Sequence, residues 1–594
     1  MGTTTTPDRT GAAGASAHRL AEILRRHPLA IDLGVVLLYS VGAVWLLKGL
    51  WPDPAHRTLS LNPEDQILIE WFLAVDTRVL TFDHGLVSDR LNAPDGVNLL
   101  ANATSLTLGT LLAPVTLTLG APVSFAVLTA GNLAATAAAW YLLLSRTFRL
   151  DRTAAAVGGA FCGFAPAMIS HSNSHWHMTS QWLVPAIVWS VVRMARAAEA
   201  GNRRRAVTSG LWLAGLVVVQ VFLGEEVLYL TALSLLLFAG TYAALRREWA
   251  RRVAPLFLTG GAVAVAVASV VLAYPLWVQF RGPGSVPNGP FPPHYYSADL
   301  LSFVTFSPLS IAGSPAAGRL ATGPAEYNTF LGWPLLLVAA AATVWLRRRP
   351  AVLALAVTGV VMGVLSLGPE LVVNGQRPGL SLPYQMLVDV PVIDGALPQR
   401  YAMALVPVIA VVLALALHRA RRETGRVRVA LPVAVTVALL PLVPTPLPTE
   451  PRSPVPQFVS EGHWRQCVEP GGVLVPVPPP TPRSPEAMRW AAAAHAHFAL
   501  PEGFFIGPYG ARGRASVGTY KLPTSQLLAE VAETGRMPEL TEEHRRQAQR
   551  DLAHWGAQCV VLGTGQQHET QLREVLGHLL GPGERIADVW VWRP

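Results

Sequence analysis

Charge is scarce in this chain. Asp, Glu, Lys and Arg make up 14% of its 594 residues, against about 25% in an average soluble protein. That deficit excludes one ordinary globular domain and fits a chain whose solvent is mostly lipid. Cysteine is rarer still, at three residues. Cys162 lies in an apolar run and reads as packing, whereas Cys467 and Cys559 fall in a polar C-terminal region. A bond between those two requires an extracytoplasmic setting and is left open by the sequence. There is no Walker loop, no dinucleotide fingerprint and no His-Glu-x-x-His helix, which disfavours an ATP-driven pump. There is no nucleic-acid module either, although the net charge is +9. The first apolar stretch is not followed by a small-residue cleavage pattern, so residues 1–28 read as a disordered cytosolic tail before an uncleaved span.

Apolar residues are what the chain does have, at 51%. A bilayer span needs about 20 of them in succession. Eleven stretches qualify: 29–50, 122–145, 153–172, 178–196, 207–223, 227–245, 255–279, 329–346, 351–369, 401–418 and 429–446. Five basic clusters sit between them: Arg146 to Arg152, Arg203 to Arg205, Arg246 to Arg252, Arg347 to Arg349, and Arg419 to Arg428. With a cytosolic N-terminus all five fall inside, as the positive-inside rule requires. Counting 103–119 as a further span would put them outside, so that stretch reads as a helix at the membrane face. The outer side then receives the loops 51–121, 280–328 and 370–400, and the C-terminal region 447–594.

That region changes character. It opens with the Pro-rich "PLVPTPLPTEPRSPVP", expected to be an extended, semi-rigid linker. Beyond it "GGVLVPVPPP", "CVVLGT" and "IADVWVWRP" read as strands. "TSQLLAEVAETG", "EHRRQAQRDLAHWGAQ" and "HETQLREVLGHLL" read as helices. The expectation is a small α/β domain.

Four constellations carry chemistry. In "LNPEDQILIEWFLAVDTRVL", Glu64 and Asp65 follow Pro63 at the start of an amphipathic helix, where the backbone dipole favours carboxylates. A plain helix cap is the competing reading. In "SHSNSHWHMTSQW", His171, His175 and His177 crowd an outer turn. They suggest a metal or phosphate site, although the spacing is loose and no acid or cysteine completes it. In "LGEEVLYL", Glu225 and Glu226 interrupt an apolar run, either as a tight turn or as groups facing the same membrane side as Asp65. Arg400, at the outer end of a span, runs against the charge bias. Its planar fork suits a phosphate, and snorkelling is the alternative. Arg281 and Arg377 are weaker candidates of the same kind. Glu326 and Tyr327 lie in the second outer loop without an assigned role.

These features together resemble the GT-C superfamily of polytopic glycosyltransferases. The resemblance rests on the acid pair Glu64-Asp65 in the first outer loop, the interfacial helix there, the many spans and the outer C-terminal domain. The stretch "APDGVNLLANATSLTLGTLLAP" is similar to bacterial membrane proteins of this layout. The resemblance implies an α-helical polytopic cell-membrane protein of about 11 transmembrane helices with a small extracytoplasmic α/β domain. Its reaction would move a sugar from a polyprenyl-phosphate donor to a cell-envelope glycan or protein acceptor on the outer face. Asp65, with Glu64, would be the catalytic carboxylate. Arg400, His175, His171, Glu225, Glu226 and Arg281 would bind substrate, and membrane lipid would be a further partner. A divalent metal ion is the one cofactor left open, without assigned ligands. A non-catalytic transporter, flippase or scaffold for lipid-linked glycans is the alternative.

Overall fold

The computed structural model describes residues 28–102, 106–390, 393–518 and 520–594. The tail expected before Pro28 lies outside the described residues. A helix occupies each of the eleven apolar stretches. Among the described residues, six helical segments are long and apolar enough to cross a membrane by length and composition: 29–46, 121–147, 152–171, 225–245, 247–281 and 398–420. The apolar helices 333–346, 350–366 and 427–442 are shorter. The expected spans at 178–196 and 207–223 become Val184–Glu199 and Arg203–Val221. Their arginine-bearing ends make them less apolar than a window average over the sequence suggested. Leu106–Leu119 is a helix too short to be counted among the six.

Small residues let the helices approach. A Cβ on Gly159 would stand 2.6 Å from the Ala137 carbonyl oxygen, and one on Gly210 would stand 2.2 Å from that of Gly260. Backbones in such contact need glycine, because helix association in lipid rests on close packing and gains nothing from burying apolar surface that lipid already covers. The outward faces remain apolar: Val270 is 78% exposed and Leu33 69%. Apolar surface on that scale fits a lipid environment.

The first outer loop folds around the helix Pro63–Asp76. Pro63 stands in its first turn, where its missing N–H costs nothing. Every residue from Gln66 to Asp76 is buried except Leu68. The four acids of this stretch have separate fates. Glu70 pairs with Arg452 at 2.9 and 3.0 Å and accepts from Gln66 at 2.9 Å. Asp76 lies 3.4 Å from His84 Nε2, beneath Leu106–Leu119, where only Gly109 leaves room for it. Asp65 turns to the histidine cluster described below. Glu64 forms no hydrogen bond or ion pair among the described residues.

Arg452 belongs to the Pro-rich stretch, which is therefore more than a spacer. Thr449–Pro451 pairs antiparallel with Arg57–Leu59, with Thr58 opposite Glu450. Beyond it the chain builds a four-stranded sheet. Val473–Val477 lies parallel to Ala557–Gly563, followed by Val589–Trp592 and Glu584–Ile586, both antiparallel. The helices Pro523–Thr534, Glu542–Trp555 and Glu569–Leu580 accompany it. Trp555, Leu572, Val575 and Leu576 meet Val475, Val560 and Leu562 in one core. On the other side of the sheet, Leu474, Cys559 and Val591 share a core with Ile67, Trp71, Phe72 and Val75 of the first loop. Cys467 and Cys559 are disulfide-bonded across 92 residues, the pairing that the sequence left open. Cys162 is buried and free. A hairpin, Ile506–Tyr509 with Arg514–Val517, was not anticipated.

Two predictions follow from these contacts. Arg452 and Glu70 are nearly inaccessible, with side-chain exposures of 7% and 2%. Arg452→Ala strands a buried carboxylate, so it should cost about 3–5 kcal/mol, read as a lowered unfolding temperature of the C-terminal region. Glu502 is 3% exposed, and its Oε1 has no hydrogen-bond partner. Burial, helped by the charge of Asp551, pushes its carboxyl up to about 7, while a Ser525 hydrogen bond and the Lys521 charge act against this. The unfolded chain ionises this group near pH 4.5. The stability held by the protonated carboxyl is thus full below pH 4.5 and is lost as pH rises through 7. Over that window the wild type should lose about 3 kcal/mol relative to Glu502→Gln. Parallel stability–pH curves for the two proteins would refute this.

Candidate functional site

The site begins with the helix start at Pro63, which places Asp65 in the first turn. Its carboxylate faces His175 Nε2 at 3.1 Å. His175 is held by the turn that follows Pro166–His171, and that turn is tied to the first loop. Asn62 donates to the Asn173 carbonyl at 3.1 Å, and the Ser174 hydroxyl to the Asn62 carbonyl at 3.1 Å. On the far side of the ring, His175 Nδ1 lies 3.2 Å from His171 Nδ1 and 3.5 Å from Glu326 Oε1.

Glu326 is the hub. Its loop is pinned by Ser170, whose hydroxyl donates to the Pro324 carbonyl at 2.7 Å and accepts from the Tyr327 N–H at 2.8 Å. Arg400 Nε donates to Glu326 Oε1 at 3.0 Å, and a second guanidinium nitrogen bonds the same oxygen. The third nitrogen donates to Glu226 Oε2 at 2.6 Å, and the Leu397 N–H donates to Glu226 Oε1 at 3.2 Å. Burial pushes the Glu326 carboxyl up. The Arg400 charge and the two imidazoles outweigh it and hold the group down at about 2. His177 is pushed well below its usual range by burial and by the Arg400 charge, so it stays neutral.

The hydrogen-bond pattern assigns one tautomer. Asn328 donates from Nδ2 to Glu326 Oε2 at 2.7 Å, so its Oδ1 can only accept, and His171 Nε2 at 2.7 Å must carry the proton. His171 Nδ1 is then a lone pair. One ring nitrogen each of His171 and His175 and a Glu326 oxygen all lie within 4.8 Å of one another. Ligands at about 2.0–2.1 Å around a tetrahedral zinc ion are about 3.3 Å apart, close to the 3.2 Å between the two imidazole nitrogens. The donor set fits a divalent cation, with His171, His175 and Glu326 to hold it. The acid that the histidine turn lacks in sequence comes from a loop some 150 residues later.

Exposure grades across the cluster. His171 is fully buried, Glu326 is 6% exposed and Arg400 8%. The side chains of His175 and Asp65 reach 16% and 23%. A ligand therefore meets Asp65 and His175 first.

The structure gives three of the expected site residues surroundings that the sequence did not show. All three Arg400 nitrogens donate to the two carboxylates of Glu226 and Glu326, the pairing that a desolvated guanidinium requires. Glu225 turns away from Arg400 and accepts from Gln279 at 2.7 Å. Glu64 does not join the cluster. Arg281 is exposed at the end of its helix and forms no ion pair among the described residues. Arg377 sits 3.8 Å from Glu370. Glu326 and Asn328 were missed as functional groups. The only sequence signal for them is two polar residues placed just before an apolar helix.

No curated protein matches the chain. The chain is similar to three solved structures, two of which are described as sugar transferases. The archaeal oligosaccharyltransferase AglB of Archaeoglobus fulgidus, solved with an inhibitory peptide and a dolichol-phosphate, is 11% identical over 90% of this chain and 70% of that one, with a TM-score of 0.46. The arabinofuranosyltransferase AftD from mycobacteria is 14% identical over 96% of this chain and 40% of that one, at 0.49. ArnT from Cupriavidus metallidurans, bound to undecaprenyl phosphate, is 13% identical over 95% and 97%, at 0.45. With every score below 0.5, no residue assignment rests on these likenesses. Residues 78–391, more than half of the sequence, match the family described as a domain of unknown function, DUF6311, and the chain belongs to that family.

Proposed function

We propose that this protein is a membrane glycosyltransferase of the GT-C type. It would move a sugar from a polyprenyl-phosphate donor to a cell-envelope glycan or protein acceptor on the outer face. One observation carries the reading: Asp65 is the accessible end of a buried chain of ionisable groups that runs through His175 to Glu326, Arg400 and Glu226. A carboxylate so placed can take the proton of an acceptor hydroxyl. The acceptor oxygen then bonds to the anomeric carbon, the bond from that carbon to the phosphate oxygen breaks, and polyprenyl phosphate leaves with the electron pair. A divalent cation held by His171, His175 and Glu326 would supply a Lewis acid to a phosphoryl oxygen.

The chain's own residues divide the remaining work. Glu226 and Glu326 neutralise Arg400 and lock it, so Arg400 is a positioning residue. Arg281, exposed and without a carboxylate partner, is the guanidinium available to a lipid phosphate. The Cys467–Cys559 bond supports placing the C-terminal region in an oxidising, extracytoplasmic compartment. The placement of the basic clusters supports a cytosolic N-terminus.

Asp65→Asn keeps the shape and removes the base. Transfer in the purified full chain should fall roughly 10²–10⁴-fold with donor binding largely kept, and Glu64→Gln should stay near wild type. Transfer at the normal rate by Asp65→Asn would remove the catalytic assignment and favour a transporter or scaffold. Arg400→Ala should act on folding, because it uncovers two buried carboxylates. It should cost about 3–5 kcal/mol, measured as a loss of thermal stability before any change in donor affinity. Reporter fusions at Arg204 and Gly510 should mark opposite compartments, and a shared compartment would overturn the orientation.

A further inference from the structure

The helix Val184–Glu199 leads away from the His175 turn, and its 16 residues span roughly 24 Å. At its far end lies a cavity of about 330 Å³, lined by Arg193, Arg196, Arg205, Trp189 and Thr147 among others. Its volume falls within the range of about 300–1,000 Å³ usual for small-ligand sites. Three guanidiniums face this space, no acidic residue lines it, and none of the three is ion-paired among the described residues. Arg196 donates only to the Thr147 carbonyl, at 3.3 Å. Arg193 lies over the Trp189 ring at 5.1 Å.

The acids near these helix ends make contacts outside the cavity. Glu199 accepts from the Trp249 indole at 3.0 Å. Asp32 is held by Tyr141, Arg146 and Arg152. Asp151 is held by Arg421 at 2.9 Å and by His418 at 3.3 Å. Three converging positive charges without a counter-charge repel one another, and an anion that enters between them relieves that repulsion. The cavity sits where an apolar helix gives way to arginines, at the opposite end of that helix from the Asp65 cluster. Basic pockets between membrane helices on the cytoplasmic side characteristically take anionic lipid headgroups.

We propose that this cavity binds the phosphate of an anionic membrane lipid, with Arg193, Arg196 and Arg205 as its ligands and Trp189 packed beside the glycerol end. The site is separate from the Asp65 cluster, and its occupancy does not depend on the transfer reaction.

Native mass spectrometry of the full chain in detergent tests this, with phosphatidylglycerol, phosphatidylcholine and inorganic phosphate as probes. The wild type should retain phosphatidylglycerol in preference to phosphatidylcholine. The triple variant R193Q/R196Q/R205Q should bind it about a hundredfold more weakly, and Arg205→Gln alone about fivefold more weakly. The variant R347Q/R348Q/R349Q removes as much charge from exposed arginines outside the cavity and should bind like wild type. Equal loss in both triple variants would reduce the effect to bulk surface charge and overturn the site, as would no loss in either. If inorganic phosphate displaces phosphatidylglycerol at equal concentration, the occupant is a soluble phosphate and the lipid assignment falls. Should the triple variant not fold, Arg205→Gln against the control decides by the same criteria.

Discussion

The buried guanidinium of Arg400 sets the arrangement of the outer end of this protein. A desolvated positive charge must be matched by carboxylates in good geometry or it will not stay buried. Arg400 is matched twice, by Glu226 from the first turn of one apolar helix and by Glu326 from the loop before another. Three chain segments that are distant in sequence are thereby fixed to one point. Glu326 then orients His171 through Asn328 and approaches His175 directly. His175 in turn faces Asp65. The accessible end of the cluster inherits its geometry from the inaccessible end.

The site was partly legible before the structure. Asp65 could be singled out because an acid pair after proline, just past an apolar segment, reads as a helix start at a membrane surface. The three histidines could be seen crowding a turn. Arg400 could be seen as a charge on the unexpected side. Its protein partners could not be read, because an isolated guanidinium and an isolated phosphate are complementary by chemistry alone, whereas two acids 174 and 74 residues away become its neighbours only through the fold. Glu326 was invisible for the same reason. Glu225 and Glu226 look alike in sequence, and the turn at Gly224, packed against the His177 carbonyl, sends one to Gln279 and the other to Arg400.

The fold was legible where periodicity and length carry the signal. Each long apolar stretch is a helix, and the three predicted C-terminal strands and three helices all form. What composition could not convey is which helices have enough apolar length. The arginines at the ends of Val184–Glu199 and Arg203–Val221 count toward the helix while detracting from the span. Nor could it convey that the Pro-rich stretch is a structural partner. Prolines suggest an extended spacer, and an extended chain is also what an edge pairing with Arg57–Leu59 requires. The DUF6311 match covers His171, His175, Glu226 and Glu326 and excludes Asp65 and Arg400, so the buried cluster straddles the edge of the recognised domain.

The clasp between Arg57–Leu59 and Thr449–Pro451, reinforced by Glu70 and Arg452, has a consequence for biosynthesis. The helix that carries Asp65 emerges several hundred residues before the segment from Phe458 onward that packs on its apolar face of Ile67, Trp71, Phe72 and Val75. While the intervening helices are being inserted, that face has only Leu91, Val97 and Leu99 of its own loop to pack on, and the edge Arg57–Leu59 has no strand to pair with. The helix can reach its final seat only once the segment from Thr449 onward has been made. The accessible carboxylate therefore becomes fixed in place late, and a nascent chain stopped before Thr449 carries the acid without the support that orients it.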